Sequence, residues 1–318
     1  MRLLVTGGMG FIGSNFILLM LEKYHDLSIV NLDLLTYAGN KENLAHVANE
    51  SNYSFVHGDI ADGGLLDQIM KEGIDAVIHF AAESHVDRSI KEPGLFLRTN
   101  AAGTLHLLDA ARRHAIKRFI QISTDEVYGS LGPGGFFTEE TCLSPNSPYA
   151  ASKAGADFMA CSYYRTYGLP VIITRCSNNY GPRQHLEKFI PLLTTNALLD
   201  RKIPIYGDGR HIRDWLFVED HCHAIDCVLR KGQPGEIYNI GGNQEYANVD
   251  IARRILGELG KPQSLLEFVE DRPGHDQRYA MDASKIHKEL GWRAAFTFDQ
   301  GLRRTLDWYM KVTGGGSH

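Results

Sequence analysis

Residues 5–13 have the sequence Val-Thr-Gly-Gly-Met-Gly-Phe-Ile-Gly and overlap the end of the first strand candidate, Arg2 to Thr6. Glycine at this spacing, G-x-x-G-x-x-G, lets the backbone turn tightly and approach a pyrophosphate. The phosphates then contact the N–H groups at the start of the helix that we expect to begin near Phe11. The sequence therefore predicts a dinucleotide site that includes Gly7, Gly10, Phe11, Ile12 and Gly13.

Asp33 stands twenty residues after Gly13, at the end of the second apolar run, Ser28 to Leu32. A carboxylate at this place accepts hydrogen bonds from both ribose hydroxyls of NAD. It also repels the 2'-phosphate of NADP. We therefore expect the cofactor to be NAD, with Asp33 as a ribose ligand.

Apolar strand candidates recur along the chain and are separated by segments of helix length. They are Arg2 to Thr6, Ser28 to Leu32, Tyr53 to His57, Ala76 to Phe80, Phe119 to Ile122, Pro170 to Thr174 and Glu236 to Ile240. Strands that are apolar throughout indicate a parallel sheet covered on both faces. We expect an α/β fold with a doubly wound, Rossmann-type sheet, and a ligand site where the carboxyl ends of its strands meet.

The alternation of strands and helices loosens after residue 178, where Pro, Gly and charged residues interrupt shorter elements. We expect an NAD-binding Rossmann domain over residues 1–178, with a return of the chain to it at 214–244. A smaller mixed α/β substrate-binding lobe is expected over 179–213 and 245–310. The glycine-rich end predicts a flexible tail at 311–318.

The composition of the 318-residue chain is that of a globular protein, with 43% hydrophobic and 22% charged residues. No apolar run approaches the roughly 20 residues that span a bilayer, and the chain enters a strand without a charged leader. The five cysteines form no C-x-x-C pair, which argues against a disulfide framework or a zinc site. With a net charge of −5, we expect a cytoplasmic protein without nucleic-acid or membrane partners.

Tyr149 and Lys153 are four residues apart at the start of a helical segment, which places both side chains on one face. The reference pKa of tyrosine is about 10, and a nearby ammonium favours the phenolate. Tyr149 is therefore a candidate base for a substrate hydroxyl whose carbon loses a hydride. Lys153 is a candidate ligand of the nicotinamide ribose.

Thr124, Asp125 and Glu126 directly follow a predicted strand. Two adjacent carboxyl groups beside a hydride-transfer pair allow proton removal from one carbon and protonation of a leaving hydroxyl. Because like charges held close raise one of the two pKa values, one carboxyl can stay protonated while its neighbour is ionised. These residues predict elimination chemistry and leave open which carboxyl is the acid.

Seven segments together resemble the dTDP-glucose 4,6-dehydratase family of the extended short-chain dehydrogenases/reductases. They are the glycine turn at 6–13, Ala81 to Ser89, Ser123 to Gly129, Tyr149 to Lys153, Arg175 to Pro182, Arg213 to Trp215 and Asp271 to Asp276. The resemblance extends from Met1 to about Tyr309. Related epimerases and decarboxylases share the glycine turn and Y-x-x-x-K but usually lack the Thr-Asp-Glu run, so this run is the specific evidence.

The resemblance implies NAD-dependent conversion of dTDP-glucose to dTDP-4-dehydro-6-deoxy-glucose. It implies that Tyr149 deprotonates the 4-hydroxyl, which Thr124 orients. It further implies that Glu126 removes the C5 proton and that Asp125 protonates the departing 6-hydroxyl. Lys153 completes the catalytic set.

The resemblance also implies the remaining ligand contacts. Further cofactor ligands would be Thr36, Asp59, Ile60, Phe80, Ala81, Ala82, Ser84, Thr99 and Asn179, together with Tyr149 and Lys153. Substrate ligands would be Ser84, Thr124, Asn178, Glu187, Lys188, Arg213, Asn248, Arg272 and His275, with Pro204, Ile205 and Tyr206 near the base. A homodimer through the helices near Thr104 to His114 and Tyr149 to Tyr164 is implied as well.

Three alternatives remain open at this point. They are a nucleotide-sugar 4-epimerase or decarboxylase on the same scaffold, a dehydratase of UDP- or CDP-hexoses, and a non-enzymatic NAD-responsive binding module. Gln184 to Leu186 and Gln277 depart from the residues usual in the family, in the lobe that contacts the nucleotide. No metal site is predicted, because neither His79 nor His85 has a carboxylate–histidine spacing that supports one.

Overall fold

Alternate side chains of the first strand, β1 (Arg2–Thr6), pack into two different hydrophobic clusters in the computed structural model, which describes residues 1–314. Leu3 and Val5 belong to one cluster and Leu4 to the other, and all three are fully buried. A strand that is apolar on both faces requires helices on both sides of its sheet.

The strands of the large sheet follow the predicted positions within two residues at either end. They are β1, β2 (Ser28–Asp33), β3 (Tyr53–His57), β4 (Ala76–His79), β5 (Arg118–Thr124) and β6 (Val171–Cys176), joined later in the chain by Ile237–Ile240. The remaining strands are β7 (Asn178–Tyr180), β8 (Ile203–Tyr206), β9 (Ile212–Phe217), β11 (Glu245–Ala247) and β12 (Leu266–Val269), and Ile237–Ile240 is accordingly β10.

Helices occupy the connections between these strands. They are α1 (Phe11–Lys23), α2 (Gly63–Lys71), α3 (Val86–Lys91), α4 (Pro93–Phe96), α5 (Thr104–Arg113), α6 (Pro148–Tyr167), α7 (Phe189–Leu198), α8 (Val218–Lys231), α9 (Asn248–Glu258), α10 (Ser284–Leu290) and α11 (Phe298–Gly314). Short 3₁₀ segments lie at Lys41–Val47, Asp125–Tyr128 and Gln263–Leu265, and a π-helical segment at Leu97–Gly103 joins α4 to α5.

The large sheet has the strand order β10-β6-β5-β4-β1-β2-β3, and all of its pairings are parallel. The predicted doubly wound, Rossmann-type α/β fold is therefore confirmed. The strand order reverses direction between β1 and β4, which is where ligands bind in such sheets. The carboxyl ends of β1, β2, β4, β5 and β6 meet at this edge.

Two small sheets lie outside the large one, with the orders β11-β9-β7 and β12-β8. They share a hydrophobic cluster with α7, α9 and α11, in which Ile205, Phe217 and Ile255 are buried. A smaller lobe with its own core is therefore present. The division of the chain into numbered domains stays a prediction.

Helix α11 continues to Gly314 and includes residues 311–314, which we had expected in a flexible tail. The Thr313 hydroxyl donates to the carbonyl of Tyr309 at 2.6 Å, a bond to the preceding turn. The rest of the predicted tail, residues 315–318, lies outside the described residues. Within residues 1–314, none of the helices combines the length and apolar character that crossing a membrane requires.

Candidate active site

A cavity of about 480 Å³ opens at the carboxyl edge of the large sheet, a size typical of small-molecule sites. Every predicted catalytic and cofactor residue lines it. These are Gly7, Gly10, Phe11, Ile12, Gly13, Asp33, Thr36, Asp59, Ile60, Phe80, Ala81, Ala82, Ser84, Thr99, Thr124, Asp125, Glu126, Tyr149, Lys153 and Asn179. We call the part between the glycine turn and Asp59 the cofactor end.

Glycine is required at position 7 for steric reasons, because Gly7 has a φ of +72°. A Cβ at this residue would lie 2.6 Å from the backbone nitrogen of Ala81, closer than atoms approach in proteins. At Gly13 a Cβ would lie 2.4 Å from the carbonyl oxygen of Gly7. Glycine therefore allows both the left-handed turn and the close packing of α1 on the loop.

The N-terminus of α1 faces the cavity with no side-chain cap at Gly10. The first N–H groups of a helix have no intrahelical partner and, with the helix dipole, attract an anion. A Cβ at Gly10 would meet only the Gly7 carbonyl, at 3.3 Å, so the side of this residue is open. This arrangement suits the pyrophosphate of a dinucleotide.

Asp33 ends β2 and is held by two backbone donors. The N–H of Met9 donates to Oδ2 at 2.9 Å and the N–H of Leu35 donates to Oδ1 at 2.8 Å. Burial raises the pKa of Asp33, and the two backbone bonds act against this rise. A carboxylate with remaining lone pairs toward the cavity fits the ribose contact predicted for it.

Asp59 follows β3 and forms an ion pair across the cofactor end with Arg98, at 3.6 Å. Its Oδ1 also accepts from the N–H of Ala61 at 2.9 Å. Arg98 belongs to the π-helical segment and lines the cavity, although 74% of its side chain is exposed. Sequence reasoning missed this residue, since no motif surrounds it.

The acid pair begins where β5 ends. The Thr124 hydroxyl accepts from the N–H of Glu126 at 3.3 Å and thereby caps the 3₁₀ turn that carries both carboxyl groups. The same hydroxyl donates to Oδ1 of Asp125 at 3.2 Å. Oδ2 of Asp125 is buried without a hydrogen-bond partner among the described residues. This side chain is therefore fixed by one oxygen, and the other is left without a hydrogen bond in the described part of the chain.

The two neighbouring carboxyl groups lie in different electrostatic surroundings. Burial raises the pKa of Asp125 well above its usual range, and the charges of Glu126 and Asp214 raise it further. Burial also raises the pKa of Glu126, but Arg272, Arg213 and Lys188 act in the opposite direction. Asp125 is therefore suited to hold a proton and Glu126 to be ionised, an assignment that the residue pattern left open and that the resemblance implied.

Tyr149 and Lys153 lie on α6 across from the acid pair, 8% and 4% exposed. Burial raises the pKa of Tyr149 well above 10, and Glu126, Cys176 and Asp125 raise it further. The expected stabilisation of the phenolate by Lys153 is thus outweighed here by burial and by the carboxylates. Lys153 donates to the carbonyl of Ile122 at 2.7 Å, and burial lowers its pKa.

Ser84, Asn178 and Lys188, which were predicted to contact the substrate, also line the cavity. The ammonium of Lys188 donates to the carbonyl of Ser84 at 2.6 Å, which connects the second lobe to the loop after β4. The side-chain oxygen of Asn178 is buried without a partner within the described part of the chain. These are polar groups available to a ligand.

The remaining predicted substrate residues lie beyond the cavity lining. We call these residues, together with Lys188 at the border of the cavity, the nucleotide end. Arg272 pairs with Asp87 at 3.5 Å, and the Tyr206 hydroxyl donates to the same carboxylate at 3.4 Å. Arg213 is 5% exposed and donates to the carbonyl of Asp276 at 2.8 Å. Also here are Pro204 and Ile205 on β8, Asn248 at the start of α9, Glu187, whose carboxylate lies 3.4 Å from His85, and His275.

His275 stacks on His211 with ring centroids 3.6 Å apart, and its Nδ1 lies 2.6 Å from Oδ1 of Asp271. The ligand atoms of these three residues lie within 4.8 Å of one another. Nothing in the sequence groups these three residues as metal ligands, because they come from two distant segments. His79, which was considered, is a core residue bonded to Thr6 and Thr104 at 2.7 and 2.9 Å.

Several other cavity residues were not predicted. They are Leu32, Leu34, Ala38, Gly39, Gly58, Glu83, Leu95, Arg98, Ile122, Ser123, Cys176, Ser177, Gln184 and His185. Glu83, Ser123, Cys176 and Ser177 lie within segments that carried the family resemblance, and this was a usable signal. The others follow strands or loops without a distinctive residue pattern.

The doubly wound sheet, the glycine turn with its ribose carboxylate and the tyrosine–lysine pair define a dinucleotide-dependent short-chain dehydrogenase/reductase. The GDP-mannose 4,6 dehydratase family model matches residues 4–305. The chain is 52% identical to a dTDP-glucose 4,6-dehydratase of Xanthomonas campestris, over 96% of this chain and 92% of that protein. The chain belongs to the dTDP-glucose 4,6-dehydratase family.

Solved structures agree with this assignment. DesIV, a dTDP-glucose 4,6-dehydratase of Streptomyces venezuelae crystallised with NAD, is 51% identical with a TM-score of 0.97, and the match covers 100% of this chain and 99% of DesIV. A UDP-glucuronic acid 4-epimerase of Bacillus cereus has a TM-score of 0.93 but is only 28% identical, with 98% of this chain and 100% of the epimerase covered. The fold is shared with epimerases, whereas the sequence is that of the dehydratases.

Proposed function

We propose that the protein converts dTDP-glucose to dTDP-4-dehydro-6-deoxy-glucose, with NAD as cofactor. The observation that carries this proposal is the pair of adjacent carboxyl groups at the end of β5. Burial raises the pKa of both, but at Asp125 the nearby carboxylates raise it further, whereas at Glu126 the charges of three cationic side chains act against the rise. A reaction that only inverts C4 has no use for an acid and a base placed side by side.

The cavity residues divide the proton transfers among them. Tyr149 accepts the proton of the 4-hydroxyl at its phenolic oxygen, while Thr124 orients that hydroxyl. The positive ring charge that NAD would supply when bound offsets the burial and the carboxylates that raise the pKa of this phenol. Glu126 removes the proton from C5, which the new 4-keto group has made acidic. Asp125 gives its proton to the departing 6-hydroxyl, and Glu126 returns a proton to C5.

NAD fits the residues of the cofactor end. The N-terminus of α1 would hold the pyrophosphate and Asp33 a ribose. When bound, NAD supplies an acceptor and donor of the hydride that moves from C4 to C6 of the hexose, and a positive ring charge in the cavity. Arg213, Arg272 and Lys188 would neutralise the diphosphate of the substrate at the nucleotide end.

The reaction is tested by incubating the holoenzyme with dTDP-glucose that carries deuterium at C4. The proposal predicts loss of water and transfer of the deuterium to C6 of the same molecule. In heavy water, C5 should gain one solvent deuteron. Formation of a C4 epimer that keeps its oxygen at C6 would contradict the proposal and favour the epimerase alternative. Parallel reactions with UDP- and CDP-glucose measure how strictly the enzyme selects the nucleotide base of its substrate.

We further propose a homodimer in the cytoplasm. Large apolar side chains are exposed along α5, α6 and the adjoining π-helical segment, with Leu97 63%, Phe158 61% and Met159 41% exposed. An apolar patch of this kind marks an interface. Phe158→Glu should give monomers in sedimentation velocity. Phe268→Glu changes a side chain of similar exposure, 55%, on β12 and should leave the dimer intact.

A further inference from the structure

Two imidazole rings are stacked at the nucleotide end. His211, directly before β9, lies against His275 with ring centroids 3.6 Å apart and 17° between the ring planes. Both side chains are buried, with 4% and 5% of their surface exposed. Two positively charged rings at this distance would repel each other. The stack therefore favours neutral rings, the form in which imidazole binds metal ions.

The carboxylate of Asp271 faces both rings. Its Oδ1 lies 2.6 Å from Nδ1 of His275, and its Oδ2 lies 3.3 Å from Nε2 of His211. One ligand atom from each of the three residues lies within 4.8 Å of the other two. The ligand atoms of a tetrahedral zinc ion are about 3.3 Å apart, because its bonds are about 2.0–2.2 Å long. The three side chains therefore converge nearly to the spacing that one metal ion imposes.

The imidazole of His211 is poorly satisfied by hydrogen bonds. Within the described residues its only side-chain hydrogen bond joins Nε2 to the amide nitrogen of Gln277 at 3.5 Å, which is longer than an ordinary hydrogen bond. Its Nδ1 is buried without a partner in the same part of the chain. Buried polar groups in proteins are nearly always hydrogen-bonded. A buried ring that uses so little of its bonding capacity, beside a carboxylate and a second imidazole, indicates a ligand between them.

The cations of the nucleotide end near these three residues are engaged elsewhere. Arg272 pairs with Asp87 at 3.5 Å, and Arg213 donates to two main-chain carbonyl oxygens, each at 2.8 Å. Gln277, one of the residues that depart from those usual in the family, places a neutral amide beside His211. Because an amide carries no charge and presents its oxygen when the terminal group is turned over, this side chain tolerates a dication and can provide a fourth ligand.

We propose that His211, Asp271 and His275 bind a divalent transition-metal ion, for which zinc is the reference probe. Two imidazoles and one carboxylate suit zinc and its neighbours in the series, whereas magnesium and calcium prefer oxygen ligands. When the ion binds, the proton that His275 shares with Asp271 moves to Nε2 of the histidine through solvent. The ion would join the start of β9 to the segment that carries Arg272. This inference is independent of the proposed reaction.

Zinc binding is measured by isothermal titration calorimetry of the NAD holoenzyme, after removal of metals with EDTA and without dTDP-glucose. One zinc ion should bind per chain. At a zinc concentration about a hundredfold above Kd, Tm should rise by about 4 °C. Cobalt(II) should bind at the same site and give the visible absorption of an imidazole-ligated ion. Magnesium, which prefers oxygen ligands, should neither bind there nor raise Tm.

His211→Asn should weaken zinc binding at least about tenfold, because even the outer-shell partners of a metal contribute about 10- to 100-fold to its affinity. Gln277→Arg should weaken zinc binding as well, since it puts a positive charge beside the ion. His25→Asn is the matched control. His25 and the neighbouring Asp26 are both exposed in a turn before β2, and this variant should bind zinc like the unchanged protein.

The site is wrong if the unchanged protein binds no zinc, or if His211→Asn and His25→Asn bind it equally well. If His211→Asn does not fold, Asp271→Asn decides, because the side chain of Asp271 is 37% exposed and its replacement leaves the ring stack in place. Zinc binding as tight in Asp271→Asn as in the unchanged protein would overturn the proposal. A protein that binds zinc but does not convert dTDP-glucose would contradict the proposed function alone.

Discussion

The cofactor end and the nucleotide end of the site are built in different ways. The cofactor end consists largely of main chain, namely the turn at Gly7, the N-terminus of α1 and the backbone donors that hold Asp33. The nucleotide end consists of long side chains from separate segments, such as Lys188 and Arg272. The geometry of the cofactor end is therefore fixed by the fold itself. At the nucleotide end, side chains can be substituted, and the ligand preference changed, without altering the fold.

The catalytic residues lie where the two ends meet and depend on both. Thr124 and Asp125 follow a central strand of the large sheet. Burial raises the pKa of the neighbouring Glu126, and Arg272, Arg213 and Lys188 from the nucleotide end limit this rise. If this division is correct, substitutions at the cofactor end should affect stability and NAD binding, and substitutions at the nucleotide end should affect substrate binding.

The largest effect is expected for Gly7→Val at the cofactor end. The valine would have to adopt the φ of +72° that Gly7 has, and its Cβ would lie less than 3.0 Å from backbone atoms of Phe80 and Ala81. We expect a destabilisation of about 4 kcal/mol or more, a fall in Tm of about 10 °C, and protein purified without NAD.

Gly10→Ala is the matched control for this prediction. Its Cβ would meet only one backbone oxygen, at 3.3 Å. Tm should therefore stay close to that of the unchanged protein while NAD content falls, because the methyl group points toward the pyrophosphate position. An equal loss of Tm in both variants would show that the turn has no special requirement at Gly7.

The same contrast explains what the sequence could predict. The glycine turn, Asp33 and the Tyr149–Lys153 pair are each encoded within a few residues, and a strand–turn–helix unit places them without help from distant parts of the chain. The large sheet was predictable for the same reason, since its strands are continuous apolar runs.

The nucleotide end was predictable only through family resemblance, and then incompletely. Asp87, which joins Arg272 and Tyr206, and His211, which stacks on His275, gain their roles from segments that meet only in the folded chain. The assignment of Asp125 as the acid was likewise implied only by the resemblance, and its physical reason needed the structure, because burial and three cations act on the two pKa values.

The second largest effect is expected at the junction of the two ends. Glu126→Gln and Asp125→Asn should each reduce kcat about 10²- to 10⁴-fold, the usual contribution of a general acid or base. NAD and nucleotide affinities should change little. Glu126→Gln should abolish uptake of solvent deuterium at C5, measured by mass spectrometry. Asp125→Asn should slow water loss more than C4 oxidation, followed as NADH absorbance.

Unchanged deuterium uptake in Glu126→Gln would remove this residue from its role as base. Equal slowing of oxidation and water loss in Asp125→Asn would argue against a dedicated acid.

A smaller effect is expected for Arg272→Met at the nucleotide end. One charge-assisted contact to a phosphate contributes about 1.5–3 kcal/mol, so the KM for dTDP-glucose should rise about 10- to 100-fold. NAD content and Tm should be unchanged. Arg210→Met removes an arginine that is 84% exposed and pairs only with Asp208 in the described chain, and should leave KM unaltered. A loss of NAD from Arg272→Met would mean that the two ends are not independent.

Asp33→Asn tests the side-chain contribution at the cofactor end. Loss of the charge should weaken NAD binding about tenfold and reduce the discrimination against NADP, since the repulsion of the 2'-phosphate disappears. Titration of the apoenzyme with both cofactors measures this. Asp26→Asn, an exposed residue just before β2, is the control. An unaltered NAD to NADP ratio would show that the backbone alone selects the cofactor.

The smallest expected effect is a shift of the pH profile of kcat. It tests most directly whether the cations of the nucleotide end act on the catalytic carboxyl groups. Catalysis requires ionised Glu126 and protonated Asp125, so kcat should fall as pH decreases through the pKa of Glu126 and as pH increases through that of Asp125. Because Arg272 lowers the pKa of Glu126, Arg272→Met should move the acidic limb to higher pH, by up to about one unit.

The alkaline limb should move less in Arg272→Met, since the cation that lowers the pKa of Asp125 is Arg213. Arg210→Met should move neither limb. Profiles of kcat measured at saturating substrate separate this effect from the change in KM. If the acidic limb stays in place while KM rises, Arg272 binds the substrate without changing the pKa of Glu126. The nucleotide end would then have no electrostatic effect on the catalytic base.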